Sequence, residues 1–132
     1  ARNVVSIYRP VLEPLGLTHP QYLVMLALWE RSPRSLGELA EELAMEPATL
    51  SPLVKRLEAQ GRVSRGRRVD DERVLEIGLT AEGADLRADA LRVPGQILDR
   101  VNMTVEQVAA VRDGLGPFAG RRDDNESGTA AP

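Results

Sequence analysis

Thr49, Ser51, Lys55 and Arg56 place two hydroxyls and two cations within about two turns of any helix that carries them. That chemistry suits hydrogen bonds to base edges and ionic contacts to phosphates rather than bond cleavage. A second polar set follows in Arg65, Arg67, Arg68 and Arg73, with Asp71 two residues before the last. Guanidinium groups suit phosphate or a narrow minor groove, where negative potential is concentrated. Asp71 can pair with Arg73; exposed, such a pair adds little stability, and its value lies in fixing the guanidinium's direction. The bland alternative is a hairpin tip kept soluble by charge. Catalysis finds little to work with. There is no cysteine, and the one histidine, His19, has no evident triad partners. No glycine-rich phosphate loop is present, and Asp70-Asp71 reads as a solvated pair. Without cysteine or a second histidine, thiolate and multi-histidine metal sites are excluded. Neither an enzyme nor a cofactor is expected.

The elements that must hold these residues can be read from caps and periodicity. Ser35-Leu-Gly-Glu38 is a capping box, and Leu36, Leu39, Ala40 and Leu43 follow at helical spacing. Ala44, Met45 and Glu46 make a short turn. Pro47 suits a first helical position, Leu50, Leu53, Val54 and Leu57 repeat the spacing, and Gly61 is the expected stop. With that stripe inward, Ala48, Pro52, Lys55, Arg56 and Ala59 point outward, and Thr49 and Ser51 flank the N-terminal part of the same face. Small groups there let a backbone approach a major groove, and the hydroxyls can meet bases or phosphates. A solvated helix face also carries lysine and arginine, but small residues and hydroxyls gathered at one end are less expected of it. Pro52 deletes an interior helical hydrogen bond, so a stability cost or a widened first turn is expected. Leu75, Ile77 and Leu79 alternate as in a strand, facing a strand with Val63, Arg65 and Arg67 on one side. Helix, turn, helix and basic hairpin together outline a winged DNA-binding module.

Around this module lie apolar helices. Val4, Val5, Ile7, Val11, Leu12 and Leu15 read as the end of a helix broken by Pro14 and Gly16. Thr18 and Gln21 cap a helix to Glu30 that is apolar on most sides, which in a short chain suggests a partner subunit. Ser32-Pro-Arg34 reads as a linker. Thr80-Ala-Glu-Gly83 opens a helix expected to run to a kink or break at Pro94-Gly95. Thr104-Val-Glu-Gln107 reads as the cap of a last helix with Val108, Val111, Leu115 and Phe118. Residues 121–132 have the composition of a disordered tail. The expected organisation is 1–34 for dimerisation and sensing, 35–79 for DNA binding, 80–120 for C-terminal dimerisation helices, and 121–132 as tail. The fold class is mainly α with a small β-hairpin wing.

The chain has 132 residues and a formal net charge of −3, which argues against a generic nucleic-acid coat but not against a local basic footprint. From Ser51 to Leu75 the balance is +3, so charge is sorted along the sequence. No apolar run approaches the roughly 20 residues of a membrane span, and a cytoplasmic protein is expected.

Leu36-Gly-Glu-Leu-Ala-Glu-Glu-Leu43, Thr49-Leu-Ser-Pro-Leu-Val-Lys-Arg-Leu-Glu58, Asp71-Glu-Arg73 and Leu79-Thr80 with Gly83 resemble the MarR family of dimeric winged-helix repressors. The likeness spans roughly 1–120. Tyr8-Arg-Pro-Val-Leu12, the segment Leu15 to Glu30, Thr49-Leu-Ser-Pro52 and Val93-Pro-Gly-Gln-Ile-Leu98 are closest to its organic hydroperoxide resistance regulator branch. The resemblance implies a homodimer on double-stranded, pseudo-palindromic operator DNA, with recognition helices in the major groove. It implies Arg73 as the wing arginine in the minor groove and Asp71 as its orienting acid. Ser35 joins Ala48, Thr49, Ser51, Pro52, Lys55, Arg56, Arg65, Arg67, Arg68, Asp71 and Arg73 in the candidate DNA-binding set. In that branch a reactive cysteine senses organic hydroperoxides and tyrosines of both subunits hold its thiolate. Tyr8 matches one of these; His19 stands where the other falls, and Tyr22 completes the candidate sensor set. The cysteine itself would precede Ala1. The alternative is release by a small aromatic or lipophilic effector, with Tyr22, Met25 and Trp29 lining its pocket or, more commonly, packing the core.

Overall fold

The computed structural model describes residues 2–114. Helix α1 spans Arg2–Leu12 and passes into a 3-10 turn, Glu13–Leu15, that ends at Gly16 with φ 73°. Gly16 is where the chain needs left-handed backbone, which a side chain would resist. Pro10 sits inside α1, and at Pro14 and Gly16, where the sequence predicts the break, the α-helix has already given way to the 3-10 turn.

Helix α2 spans His19–Glu30. Its start is the expected box: Gln21 N donates to Thr18 Oγ1 (3.3 Å) and Thr18 N donates to Gln21 Oε1 (3.0 Å). Pro20 falls in the first turn, where a missing amide costs little. Tyr22, Val24, Met25, Ala27 and Leu28 are buried within the described structure, so the helix is wrapped on several sides.

Strand β1 is only Arg34–Ser35, α3 spans Leu36–Glu42 and α4 spans Pro47–Ala59. Strands β2 (Val63–Arg67) and β3 (Leu75–Leu79) complete an antiparallel sheet in the order β1-β3-β2. Val63 faces Leu79, Arg65 faces Ile77 and Arg67 faces Leu75, while β1 pairs Arg34 with Ile77 and Ser35 with Glu76. The segment read as a linker therefore leads into a third strand. Two residues are too few to show an alternating pattern, and their pairing partner lies some forty positions on.

Helix α5 spans Ala81–Ala90 under the cap of Thr80, whose Oγ1 accepts from Gly83 N (3.0 Å) and donates to the Gly61 carbonyl (2.6 Å). Helix α6 spans Val93–Gly114. The break expected at Pro94-Gly95 comes earlier, at Leu91-Arg92, and Pro94 lies in the first turn of the new helix. The helix start expected at Thr104 is not there: α6 runs through it. No glycine or proline between Gln96 and Thr104 ends the preceding turns, so the box-like spacing falls inside a helix. Leu115, Phe118 and the tail 121–132 lie outside the described residues. The backbone divides into two compact units, one reaching to Val93 and the second starting at Pro94.

The core of the first unit gathers one face from each element. Leu12 comes from α1, Met25 and Leu28 from α2, Leu39 from α3, Leu50, Val54 and Leu57 from α4, and Val63 and Ile77 from the sheet. Each such side chain contributes on the order of 1.5–3 kcal/mol when fully buried. That inner stripe fixes which face of α4 looks outward.

Candidate nucleic-acid interface

With Leu50, Val54 and Leu57 buried, α4 leaves Ala48, Thr49, Pro52, Lys55, Arg56 and Ala59 on its outer side, and Ser51 half-buried beside them. Leu53, expected in the stripe, is only half-buried. The outer face begins with small groups and hydroxyls and ends in two cations. Pro52 is accommodated inside α4 on its exposed face. Ser35 caps α3: its Oγ accepts from Glu38 N (3.0 Å) and its own N donates to Glu38 Oε1 (3.0 Å). The Ser35 backbone hydrogen bond holds the Glu38 carboxyl below the usual glutamate range.

The loop between β2 and β3 is closed by Arg68 N donating to Val74 O and Val74 N donating to Asp71 O, both 3.0 Å. Its arginines are not equivalent. Arg73 donates from Nε to Asp71 Oδ1 (3.0 Å) and from Nη2 to Oδ2 (3.2 Å), and its backbone N donates to the same carboxylate. That bidentate fork leaves the Arg73 side chain 90% exposed and fixed in direction. These hydrogen bonds hold the Asp71 carboxyl below its usual range. Arg68 forks onto Asp70 at 3.1 and 3.2 Å and approaches Glu76, which raises its own pKa and lowers that of Asp70. Arg65 points back to α4, donating to Glu58 Oε1 at 2.8 Å. Arg67 is exposed at the end of β2. The structure thus brings Asp71 and Arg73 together as expected and turns Arg65 towards the helix.

Arg34, which the sequence reads as linker, is 2% exposed. Its guanidinium donates to the carbonyls of Ala27 (2.6 Å) and Arg31 (3.0 Å), binds Glu42 of α3, and lies 3.5 Å from Glu30. The end of α2, the end of α3 and the sheet meet at one side chain. The signal available in sequence was an arginine between a proline and a helix cap, which is too common a pattern to point to burial.

At the other end of α2, the rings of Tyr8 and His19 meet edge to face with centroids 4.7 Å apart, and Tyr22 lies 5.9 Å from Tyr8. All three candidate sensor residues are therefore one cluster, and His19 is half-buried in it rather than free in solvent. Burial, then the nearby Tyr8, raises the Tyr22 phenol's pKa, so it stays protonated at neutral pH. Tyr22 and Met25 are core residues, and Trp29 is half-buried with its Nε1 donating to the Gly83 carbonyl (2.8 Å).

A family model described as transcriptional regulator SarA/Rot matches residues 6–89. The organic hydroperoxide resistance transcriptional regulator of Bacillus subtilis is 36% identical over 115 residues, spanning 87% of this chain and 78% of that protein. Among solved structures, reduced AbfR bound to DNA superposes with a TM-score of 0.70 at 33% identity, covering 86% of this chain and 83% of that one; AbfR is a protein of Staphylococcus epidermidis. A mutant MarR from E. coli complexed with operator DNA gives a TM-score of 0.70 at 20% identity, covering 88% and 87%, a likeness of fold. Among the described residues no helix is long and apolar enough to cross a membrane.

Proposed function

The chain belongs to the SarA/Rot family of transcriptional regulators, and from that premise we propose that it works as a homodimer that holds operator DNA and releases it when an organic hydroperoxide oxidises a cysteine. The single observation that carries the DNA part is the outer face of α4 beside the oriented Asp71–Arg73 fork. Thr49 and Ser51 read base edges or nearby phosphates, Lys55 and Arg56 hold phosphates, and Arg73 enters the adjacent minor groove. Ala48 and Pro52 let the helix approach closely; Arg67 and Arg68 add backbone contact, and Ser35 and Arg65 act by position.

The peroxide part rests on the Bacillus subtilis relative, whose name states that role, and on the Tyr8, His19 and Tyr22 cluster. The 132 residues contain no cysteine, so the thiol would lie outside them. A phenol and an imidazole side by side can hydrogen-bond a thiolate, and an imidazolium lowers a thiol pKa. In these terms the transcriptional role is repression relieved by oxidation.

The test is operator binding by the full native protein with and without an organic hydroperoxide. Release by peroxide, reversed by a thiol reductant, is expected. Tight binding that peroxide leaves unchanged would reject the redox arm and leave release by a non-covalent aromatic or lipophilic ligand. Absence of any sequence preference on duplex DNA would reject the operator reading itself.

A further inference from the structure

The wing carries more than arginines. Val69 is 103% exposed, between Arg68 and Asp70 at the outer end of the loop. A single exposed valine is ordinary on a protein surface. This one stands where its neighbours have already been neutralised. From Arg65 to Glu76 the sequence holds four arginines and four acids, so the wing as a whole has no net charge. Arg68 is forked onto Asp70, and Arg73 onto Asp71. Such a wing adds little to the salt-dependent attraction that a basic arm would supply. What it offers a groove is shape: a directed guanidinium and, in the same loop, a bare apolar tip.

We propose that Val69 seats against the floor of the minor groove at the wing and selects A·T over G·C there; the inference rests on the operator-binding reading above. The groove floor differs between the pairs by one group, the 2-amino of guanine, which is a hydrogen-bond donor. Valine covers that donor and offers it no acceptor, so a G·C pair under the tip loses a hydrogen bond to water. An A·T pair carries no donor there, and its narrow groove matches a thin apolar tip. Valine's branched β-carbon leaves it few rotamers to give up on insertion. Apolar side chains are found in minor grooves elsewhere, where they wedge between base steps.

The full chain is used to select duplexes from a randomised pool. Affinities are then measured on the selected duplex with A·T, G·C or inosine·C at the wing-facing positions. Inosine·C keeps the major-groove face of G·C but lacks the 2-amino group. The native protein should prefer A·T and inosine·C to G·C by about five- to tenfold, the effect of one unsatisfied donor. Val69→Asn, which can accept from the amino group, should lose or reverse that preference with the salt slope unchanged; Val69→Leu should keep it. A preference for A·T that survives Val69→Asn, or a native protein indifferent to the base pair under the wing, would overturn the inference while operator binding stands. A native protein that selects no sequence would overturn the operator reading first.

Discussion

A guanidinium can reach for DNA in many directions, and the structure shows how one is held. Asp71 grips Arg73 at three donors while leaving its side chain almost wholly exposed. Arg73→Ala should therefore weaken operator binding about tenfold or more, and Asp71→Asn should lower it by a smaller factor, both read by titration of labelled duplex. The pair sets a pH dependence whose sign follows from the depressed carboxyl. A lowered folded-state pKa means that the interaction is complete above the ordinary aspartate value of about 3.9 and fails as pH falls through the lower, folded value. The wing should keep its form across roughly pH 5 to 8, and a carbon-detected NMR titration of Asp71 should show a midpoint below the ordinary one. On α4, Thr49→Ala and Ser51→Ala should change base preference more than salt slope, whereas Lys55→Ala should reduce the slope by about one. Equal losses on specific and random duplexes would refute the base-edge role of the hydroxyls.

Among the elements, the joints are tighter than the sequence suggests. Gly83 is buried in the first turn of α5, and a Cβ there would collide with the Arg62 carbonyl oxygen. Neither partner is a flexible side chain, so Gly83→Ala should destabilise by about 1–3 kcal/mol, as overpacking does, in a denaturant melt followed by circular dichroism. Leu57→Ala should cost roughly 2–5 kcal/mol in the same measurement, since the leucine is fully buried on the inner face of α4. The starts of α2, α3 and α5 were legible because a cap is local chemistry: Thr18, Ser35 and Thr80 each accept from an amide three residues on. The outward face of α4 was legible because its inner stripe repeats. Two other features could not be read this way. Strand β1 depends on a distant partner, and Thr104 to Gln107 has the letters of a cap without the break that a cap must follow.

At the scale of the molecule, sorting of charge replaces net charge. A chain of −3 gathers six of its 17 cations on α4 and at the wing, and the wing's are balanced by acids. Its affinity for DNA should fall with salt less steeply than that of a uniformly basic protein, and most of the slope should belong to α4. The buried Arg34 ties the helix that carries His19 and Tyr22 to α3 and to the sheet, so the three share one anchorage. Arg34→Met should keep an unbranched side chain of similar reach but remove one hydrogen bond from each of two helix-end carbonyls and the guanidinium partner of Glu42, lowering stability and operator affinity together.

Trp29 is the one tryptophan in the sequence, and its indole nitrogen is hydrogen-bonded to the Gly83 carbonyl across the seam between α2 and α5. The protein consequently carries its own optical gauge at that seam. Excited where the two tyrosines do not absorb, it needs no label, and within these 132 residues its emission comes from a single place. A red shift when peroxide or DNA is added would mean that water has entered the seam and that α2 and α5 have parted. Unchanged colour would mean that they travel as one piece, so that any signal reaching α4 must bypass this contact.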